Sequence, residues 1–307
     1  SAPASWRVRR TDGVVSGVGS DGTLTWRELW AETAAVHGRP QARWLCEEAS
    51  GAFGDEFDDV LDEAATERTV AHLDAMLGRL RAGEPLQYVL GHWSFRRLDL
   101  LVDRRVLIPR PETELVAGVA IDLARSSTRS SARPVRCADL GTGSGAIGLS
   151  LLAELPRGSA EVWLTDASAD ALDVARANAA GIGVAGAGAR FALGSWFAAL
   201  PGDLCGSLGV VVSNPPYVAP DDPDLEASVR HWEPAMALFG GGDGSAELAA
   251  IAEGAAQWLA PGGWLVLEIG SRQGEVARGL LSSAGLAEVE VRPDLAGLDR
   301  IVLGRRP

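Results

Sequence analysis

The chain has 307 residues, 47% hydrophobic and 22% charged, which favours two domains, one large enough for a full α/β core. No apolar run approaches the roughly 20 residues of a spanning helix, and because all 28 basic residues are arginine there is neither a Schiff-base lysine nor a P-loop lysine. The net charge of -13 disfavours a partner held mainly through phosphates, so no direct nucleic-acid contact is expected.

Residues 1–24, rich in Gly, Ser and Val without a clear period, are expected to form a tail or a short hairpin. Ser1 to Ser20 lacks the basic start, apolar stretch and cleavage site of a secretory signal, which makes the cytoplasm the expected compartment. Thr25-Trp26-Arg27-Glu28 has capping-box spacing, and Gly38 with Pro40 supplies a stop signal for the helix between them. Val70, Leu73, Met76, Leu77 and Leu80 then share one helical face, so a small helical domain is expected over 25–84. Over 85–108 the period changes: Trp93 to Phe95 and Leu98 to Val102 are short strands joined at Arg96-Arg97, a hairpin linker.

The third segment, 109–307, opens with a helix near Glu112 in which Leu115, Val116, Val119 and Leu123 share a face. Strands are expected at Arg136 to Leu140, Glu161 to Thr165, Arg190 to Leu193, Gly209 to Ser213, Trp264 to Ile269, Glu288 to Val291 and Arg300 to Leu303. Their alternation with helices predicts a mostly parallel sheet covered on both faces. The last two lack an intervening helix and should form an antiparallel hairpin at one edge. Gly181 to Gly188 is expected to be a small-residue loop. Cys46, Cys137 and Cys205 are too scattered for a disulfide framework or a metal site and are expected to be small buried apolar residues. The four histidines are equally scattered, so no metal centre is expected.

Asp139-Leu140-Gly141-Thr142-Gly143-Ser144-Gly145 closes the first of these strands and opens a helix. Glycines let a backbone approach a ligand closely, and free amides at a helix start attract negative charge. Asp166 ends the next strand, where a carboxylate can accept hydrogen bonds from both ribose hydroxyls. An adenosine-containing cofactor suits this arrangement. Gly143-x-Gly145-x-x-Gly148 also matches the dinucleotide fingerprint, which leaves a dehydrogenase as a rival. Asp139, directly before the loop and placed to face an amino-acid end, favours S-adenosylmethionine.

Asn214-Pro215-Pro216-Tyr217 follows the buried strand Val210-Val211-Val212-Ser213, at the carboxyl end where open α/β sheets place ligands. An amide or aromatic amine is a poor nucleophile because its nitrogen lone pair is delocalised. The Asn214 side-chain oxygen can take one N–H and the Pro215 carbonyl the other, while tandem prolines stiffen the backbone that presents them. Tyr217 can stack on the planar group. A dehydrogenase has no use for this tetrapeptide.

The chain resembles the peptide chain release factor glutamine methyltransferases, a branch of the class I methyltransferase fold, from about Gly83 to its end. The resemblance rests on Glu84-Pro85-Leu86-Gln87-Tyr88 with Gly91, on Val106-Leu107-Ile108-Pro109-Arg110-Pro111-Glu112-Thr113-Glu114, and on Ser213-Asn214-Pro215-Pro216-Tyr217-Val218. Glu233-Pro234 with Ala237-Leu238-Phe239-Gly240-Gly241, and Leu267-Glu268-Ile269-Gly270 with Gln273, complete it. It implies a helical N-terminal domain that helps recognise the release factor, a β-hairpin linker, and an S-adenosylmethionine-binding catalytic domain with a doubly wound seven-stranded sheet. It implies the glutamine of the release factors' Gly-Gly-Gln motif as substrate. Gly141, Thr142, Gly143, Ser144, Gly145 and Asp166 would hold the cofactor, Trp196 would pack on adenine, and Asn214 would touch cofactor and substrate. No metal is implied.

Where members commonly carry Gly-Asp before the tryptophan, this chain has Gly194-Ser195-Trp196, which leaves the usual carboxylate contact to the adenine amine open. His92 and Trp93 lie in a connector that often closes over substrate in members; simple hairpin packing is the expectation for His92. Two related reactions use the same tetrapeptide, methylation of a ribosomal-protein glutamine and of an adenine amino group. The acidic charge disfavours the adenine, and by resemblance the Pro-Glu-Thr-Glu run disfavours the ribosomal protein. A cofactor-binding scaffold without catalysis would be expected to carry an altered tetrapeptide, and here it is intact.

Overall fold

A computed structural model describes residues 23–130, 133–223 and 225–307. The tail or hairpin expected over 1–24 lies outside them, apart from Thr23 and Leu24. The chain divides into two compact units, one ending at Leu90 and one running from Gly91 to Pro307.

In the first unit α1 (Trp26–His37) begins with the expected capping box: the Thr25 hydroxyl accepts from Glu28 N, and Glu28 Oε2 accepts from Thr25 N at 2.9 Å. Gly38, at φ 79°, ends α1, yet α2 (Arg39–Ser50) starts at the next residue. Pro40 therefore opens a helix instead of closing one, because its ring φ suits the first turn and its missing N–H costs nothing there. The short α3 (Asp55–Asp59) contributes Phe57, which is fully buried, and α4 (Glu67–Arg81) contributes Leu73 and Met76. Val70, Leu77 and Leu80 pack against the same cluster, as their shared face predicts. The Arg79 guanidinium grips both oxygens of Glu84 and the carbonyls of Tyr88 and Val89, which holds α5 (Leu86–Leu90) on the end of α4.

The second unit opens with the antiparallel hairpin β1 (His92–Phe95) and β2 (Leu98–Leu101). Arg96 takes the left-handed φ of 53° that its tight corner requires, and its side chain docks the hairpin. It pairs with both oxygens of Glu154 at 2.6 and 2.9 Å and donates to the Glu114 carbonyl. His92 Nδ1 lies 2.8 Å from Asp99 Oδ1, an interaction within the hairpin.

There follow α6 (Pro111–Ser130), β3 (Val135–Leu140), α7 (Ala146–Glu154), β4 (Ala160–Asp166), α8 (Ala169–Gly181), β5 (Ala189–Leu193), β6 (Leu208–Ser213), α9 (Ala227–Trp232), α10 (Ala235–Leu238), α11 (Ala246–Trp258), β7 (Leu259–Glu268), α12 (Gly274–Ser283), β8 (Ala287–Pro293) and β9 (Asp299–Arg305). The strands form one seven-stranded sheet in the order β5-β4-β3-β6-β7-β9-β8. β3 to β7 run parallel, and β8 and β9 form the expected antiparallel hairpin at the edge.

Side chains of period two supply both faces. Cys137, Val210 and Val212 pack with Val116, Ile121, Ile147 and Leu149 from α6 and α7, whereas Ala138, Leu140 and Val211 pack with Leu248, Ile251, Ala277 and Leu281 from α11 and α12. The order reverses between β3 and β6, and the ends of those neighbouring strands leave a crevice where loops after β3, β4 and β6 meet.

Three expectations are corrected. Gly183–Gly188 is a 3-10 helix, not an irregular loop. β7 starts at Leu259, ahead of Pro261-Gly262-Gly263, because the Gly262 amide and the Gly263 carbonyl bond to Arg306, just past the end of β9, while the register with β6 is irregular. Cys46 and Cys137 are buried, but Cys205 is exposed, its thiol 3.4 Å from the Gln257 carbonyl. No helix among the described residues is long and apolar enough to cross a membrane.

Candidate active site

The turn after β3 depends on glycine because the backbone passes through positive φ at Gly141 (68°), Gly143 (55°) and Gly145 (87°). Its amides are already committed: Thr142 N donates to the Thr165 carbonyl, Gly143 N to Asp166 Oδ2 at 2.9 Å, and Gly145 N to the Thr142 carbonyl. Asp139, almost fully buried, braces the turn from below, its Oδ2 accepting from the Thr142 hydroxyl at 2.5 Å and from Gly148 N at 2.8 Å. A helix leaves its first amides without partners, and here a buried carboxylate takes one of them. Burial pushes the Asp139 carboxyl up to about 6 against the pull of those two bonds. Among the described residues nothing donates to its other oxygen, Oδ1. Asp166 is also raised by burial, although the amides of Ser168, Gly143 and Ala167 hold it down.

Asn178, which no sequence pattern singles out, ties this turn to the hairpin. Its amide donates to the Ser144 and Leu101 carbonyls and its oxygen accepts from Leu101 N at 2.7 Å.

At the end of β6 the Ser213 hydroxyl donates to the Leu140 carbonyl at 2.6 Å, which locks the start of the tetrapeptide to the start of the glycine turn. The Asn214 side-chain nitrogen donates to Thr113 Oγ1 at 3.2 Å, and the Thr113 hydroxyl donates to Glu268 Oε2 at 2.7 Å. Glu268 Oε1 accepts from the Tyr217 hydroxyl at 3.0 Å. Burial pushes Glu268 up to about 6. The Tyr217 phenol is raised by burial and by Glu268, so it stays protonated and donates. Gln273 closes the loop from behind, accepting from Gly270 N and donating to the Tyr217 carbonyl. Gly240 runs so close that a Cβ there would collide with the Pro216 carbonyl. Glu233 accepts from Ile108 N at 3.0 Å and pairs with Arg110, joining the segment before α6 to the loop before α10.

Gly141, Thr142, Gly143, Ser144, Asp166, Trp196, Asn214 and Pro216 line one cavity of about 340 Å³, together with Asp139, Thr113, Ser195 and Glu247. Of the residues singled out from the sequence, Gly145, Pro215 and Tyr217 do not line it. Pro215 is buried, its carbonyl accepting no hydrogen bond among the described residues. The Trp196 ring lies over the turn, 3.2 Å from where a Gly141 Cβ would stand, and its Nε1 donates to Glu247 Oε2 at 2.8 Å. Ser195 offers no carboxylate, but Glu247 on α11 brings one to the same wall. The space over Gly143 is open, with no atom within 4 Å of a Cβ built there.

These features fit S-adenosylmethionine better than a dinucleotide. Three amides that could cradle a pyrophosphate are spent within the protein, and the lining carries the carboxylates Asp139, Asp166 and Glu247, which suit a cationic ligand. Among the described residues no group of three or more His, Cys, Asp or Glu side chains could hold a metal ion.

A parallel sheet switched between β3 and β6, with an antiparallel hairpin at its edge and a glycine turn facing an Asn-Pro-Pro-Tyr loop, is the class I methyltransferase fold. A family model described as "Methyltransferase small domain" matches residues 127–243. A release factor glutamine methyltransferase of Xylella fastidiosa is 43% identical over 251 residues, 81% of this chain and 85% of that protein. One of Burkholderia pseudomallei is 43% identical over 253 residues, covering 81% and 84%, and one of Vibrio cholerae is 37% identical over 244, covering 80% and 81%. The chain belongs to the release factor glutamine methyltransferase family.

Proposed function

We propose that the protein transfers a methyl group from S-adenosylmethionine to the side-chain amide nitrogen of the glutamine in the Gly-Gly-Gln motif of peptide chain release factors. The observation that carries this is Asn214: it faces the same cavity as the glycine turn, with its side-chain oxygen uncommitted. When bound, S-adenosylmethionine supplies an electrophilic methyl on a sulfonium whose charge is lost on transfer.

The chain's own residues do the rest. Asn214 Oδ1 accepts one N–H of the glutamine amide and the Pro215 carbonyl the other, an arrangement that favours the pyramidal nitrogen of the transition state. The methyl would pass from the sulfonium to that nitrogen, leaving a neutral thioether, and the excess proton would then leave to water, so no strong base is required of the chain. Pro215 and Pro216 hold the acceptors rigid. Asp166 holds the ribose, Gly141 to Gly145 pass beneath the cofactor, Trp196 packs on adenine, and Asp139 Oδ1 faces the cationic amino-acid end. Tyr217 serves the planar substrate group from behind, through its tie to Glu268. Recognition of the release factor is assigned to the helical segment 25–84, and the 85–108 hairpin links it to the catalytic segment 109–307, in the cytoplasm.

The test is incubation of the protein with methyl-labelled S-adenosylmethionine and a purified release factor, beside the same factor with the motif glutamine replaced. Label is expected on the first alone; equal label on both would overturn the substrate.

A further inference from the structure

We propose that Thr113 and Glu268 are positioning residues that fix which end of the Asn214 side chain faces the cavity. The inference deepens the function proposed above and rests on its use of Asn214 Oδ1 as the acceptor for the substrate amide.

The two ends of an asparagine amide have nearly the same shape, so packing alone does not choose between them; hydrogen bonding does. In this site the choice is made by a chain of fixed polarity. When ionised, Glu268, buried at the end of β7, can accept but cannot donate, and its two oxygens are taken by Tyr217 from the tetrapeptide and Thr113 from α6. The Thr113 hydroxyl has one proton and gives it to Glu268 Oε2 at 2.7 Å, a charge-assisted bond stronger than one to a neutral amide. Towards Asn214 the hydroxyl oxygen can then only accept, so the nitrogen of the amide must turn to it, at 3.2 Å. Asn214 Oδ1 is left to the cavity. With the amide turned over, Oδ1 would confront the Thr113 oxygen, acceptor against acceptor, and the N–H groups would confront the donor N–H of the substrate. Thr113 is itself only 4% exposed, so water does not offer the hydroxyl an alternative partner at low cost.

The experiment has two arms on the full-length protein. In the first, Thr113→Val removes the hydroxyl at constant shape and Thr113→Ser keeps it. With methyl-labelled cofactor and release factor, the valine variant is expected to lose at least about tenfold in kcat, the size of one modest hydrogen bond, with the serine variant close to wild type. The calorimetric affinity for S-adenosylhomocysteine is expected to stay the same in both.

In the second arm the polarity is reversed. Asn214→Asp places a second carboxylate against Thr113 and is expected to abolish turnover. Adding Glu268→Gln lets an amide donate to Thr113 and Thr113 donate to the aspartate, so the double variant should recover at least about tenfold over Asn214→Asp alone. Equal losses in Thr113→Val and Thr113→Ser, or no recovery in the double variant, would overturn the relay.

A readout independent of turnover separates this from failure of the functional proposal. The side-chain amide NMR signal of Asn214, identified by its disappearance in Asn214→Ala, should shift in Thr113→Val and hold in Thr113→Ser. If wild-type protein leaves the release factor unlabelled, the function falls and that signal still decides the relay.

Discussion

Replacing Asp139 by Asn isolates the energetic cost of bracing the glycine turn with a buried acid. The asparagine oxygen can still accept from the Thr142 hydroxyl and Gly148 N, which Asp139 serves with a single oxygen, so the turn keeps its bonds. What changes is titration. Burial raises Asp139 from 3.8 to about 6, so over that interval the folded protein holds a proton that the unfolded chain has released. Stability from this group is therefore fully present below about pH 4 and is lost as pH rises through about 6. At roughly 1.4 kcal/mol per pKa unit, the wild type should lose about 3 kcal/mol relative to Asp139→Asn between about pH 4 and pH 7. Urea unfolding of both proteins across that range measures the difference directly, because carboxylates shared by the two cancel. A difference that does not change with pH would refute the reasoning.

Four other substitutions probe the surrounding structure and the site. Gly148→Ala should destabilise the fold by about 1 kcal/mol, because its Cβ would stand 2.9 Å from Leu164 Cγ and 3.0 Å from Asp139 Oδ2, a clash that outweighs the usual gain of alanine in a helix. Gly78→Ala, on the exposed side of α4 with nothing within 4 Å, should instead stabilise by about 1 kcal/mol; calorimetric melting of both variants checks the contrast. Arg96→Ala leaves Glu154, whose side chain is 8% exposed, without its bidentate partner, and thermal unfolding should show a loss of about 3 kcal/mol. Asn214→Ala should cost about 2 to 4 kcal/mol in the transition state, read as kcat in the labelling assay with cofactor affinity little changed.

The sheet was legible because its strands are short apolar runs closed by special residues. Val210-Val211-Val212 lies between glycine and the Asn-Pro-Pro turn, and Asp139 and Asp166 mark the ends of β3 and β4. Punctuation misled where it carries two meanings. Pro40 opens α2, and Pro261-Gly262-Gly263 lies inside β7, because a neighbouring strand end supplies partners that the segment itself does not advertise. Cys205 is exposed for a related reason, since nothing in its local pattern tells which side of a connecting segment faces solvent.

In the site, the glycine turn, Asp166 and the Asn-Pro-Pro-Tyr loop stood out by type and spacing, whereas the residues that hold them did not. Thr113 and Glu268 were visible only as members of conspicuous blocks, and their link to Asn214 joins three elements far apart in the chain. Asn178 sits in an alanine-rich helix with no spacing signal, and its role arises solely from the fold that brings Leu101 and Ser144 to it. Glu247 gives no hint in sequence that its carboxylate lines the cavity beside Ser195, because only the fold brings α11 to that wall.

The most direct test of the account is the structure of the protein bound to S-adenosylhomocysteine and a release factor. It should show the motif glutamine nitrogen within hydrogen-bond distance of Asn214 Oδ1 and the Pro215 carbonyl, with the cofactor sulfur over Gly141 to Gly145 and in line with that nitrogen. A glutamine seated elsewhere, with the sulfur opening onto a different space, would contradict it.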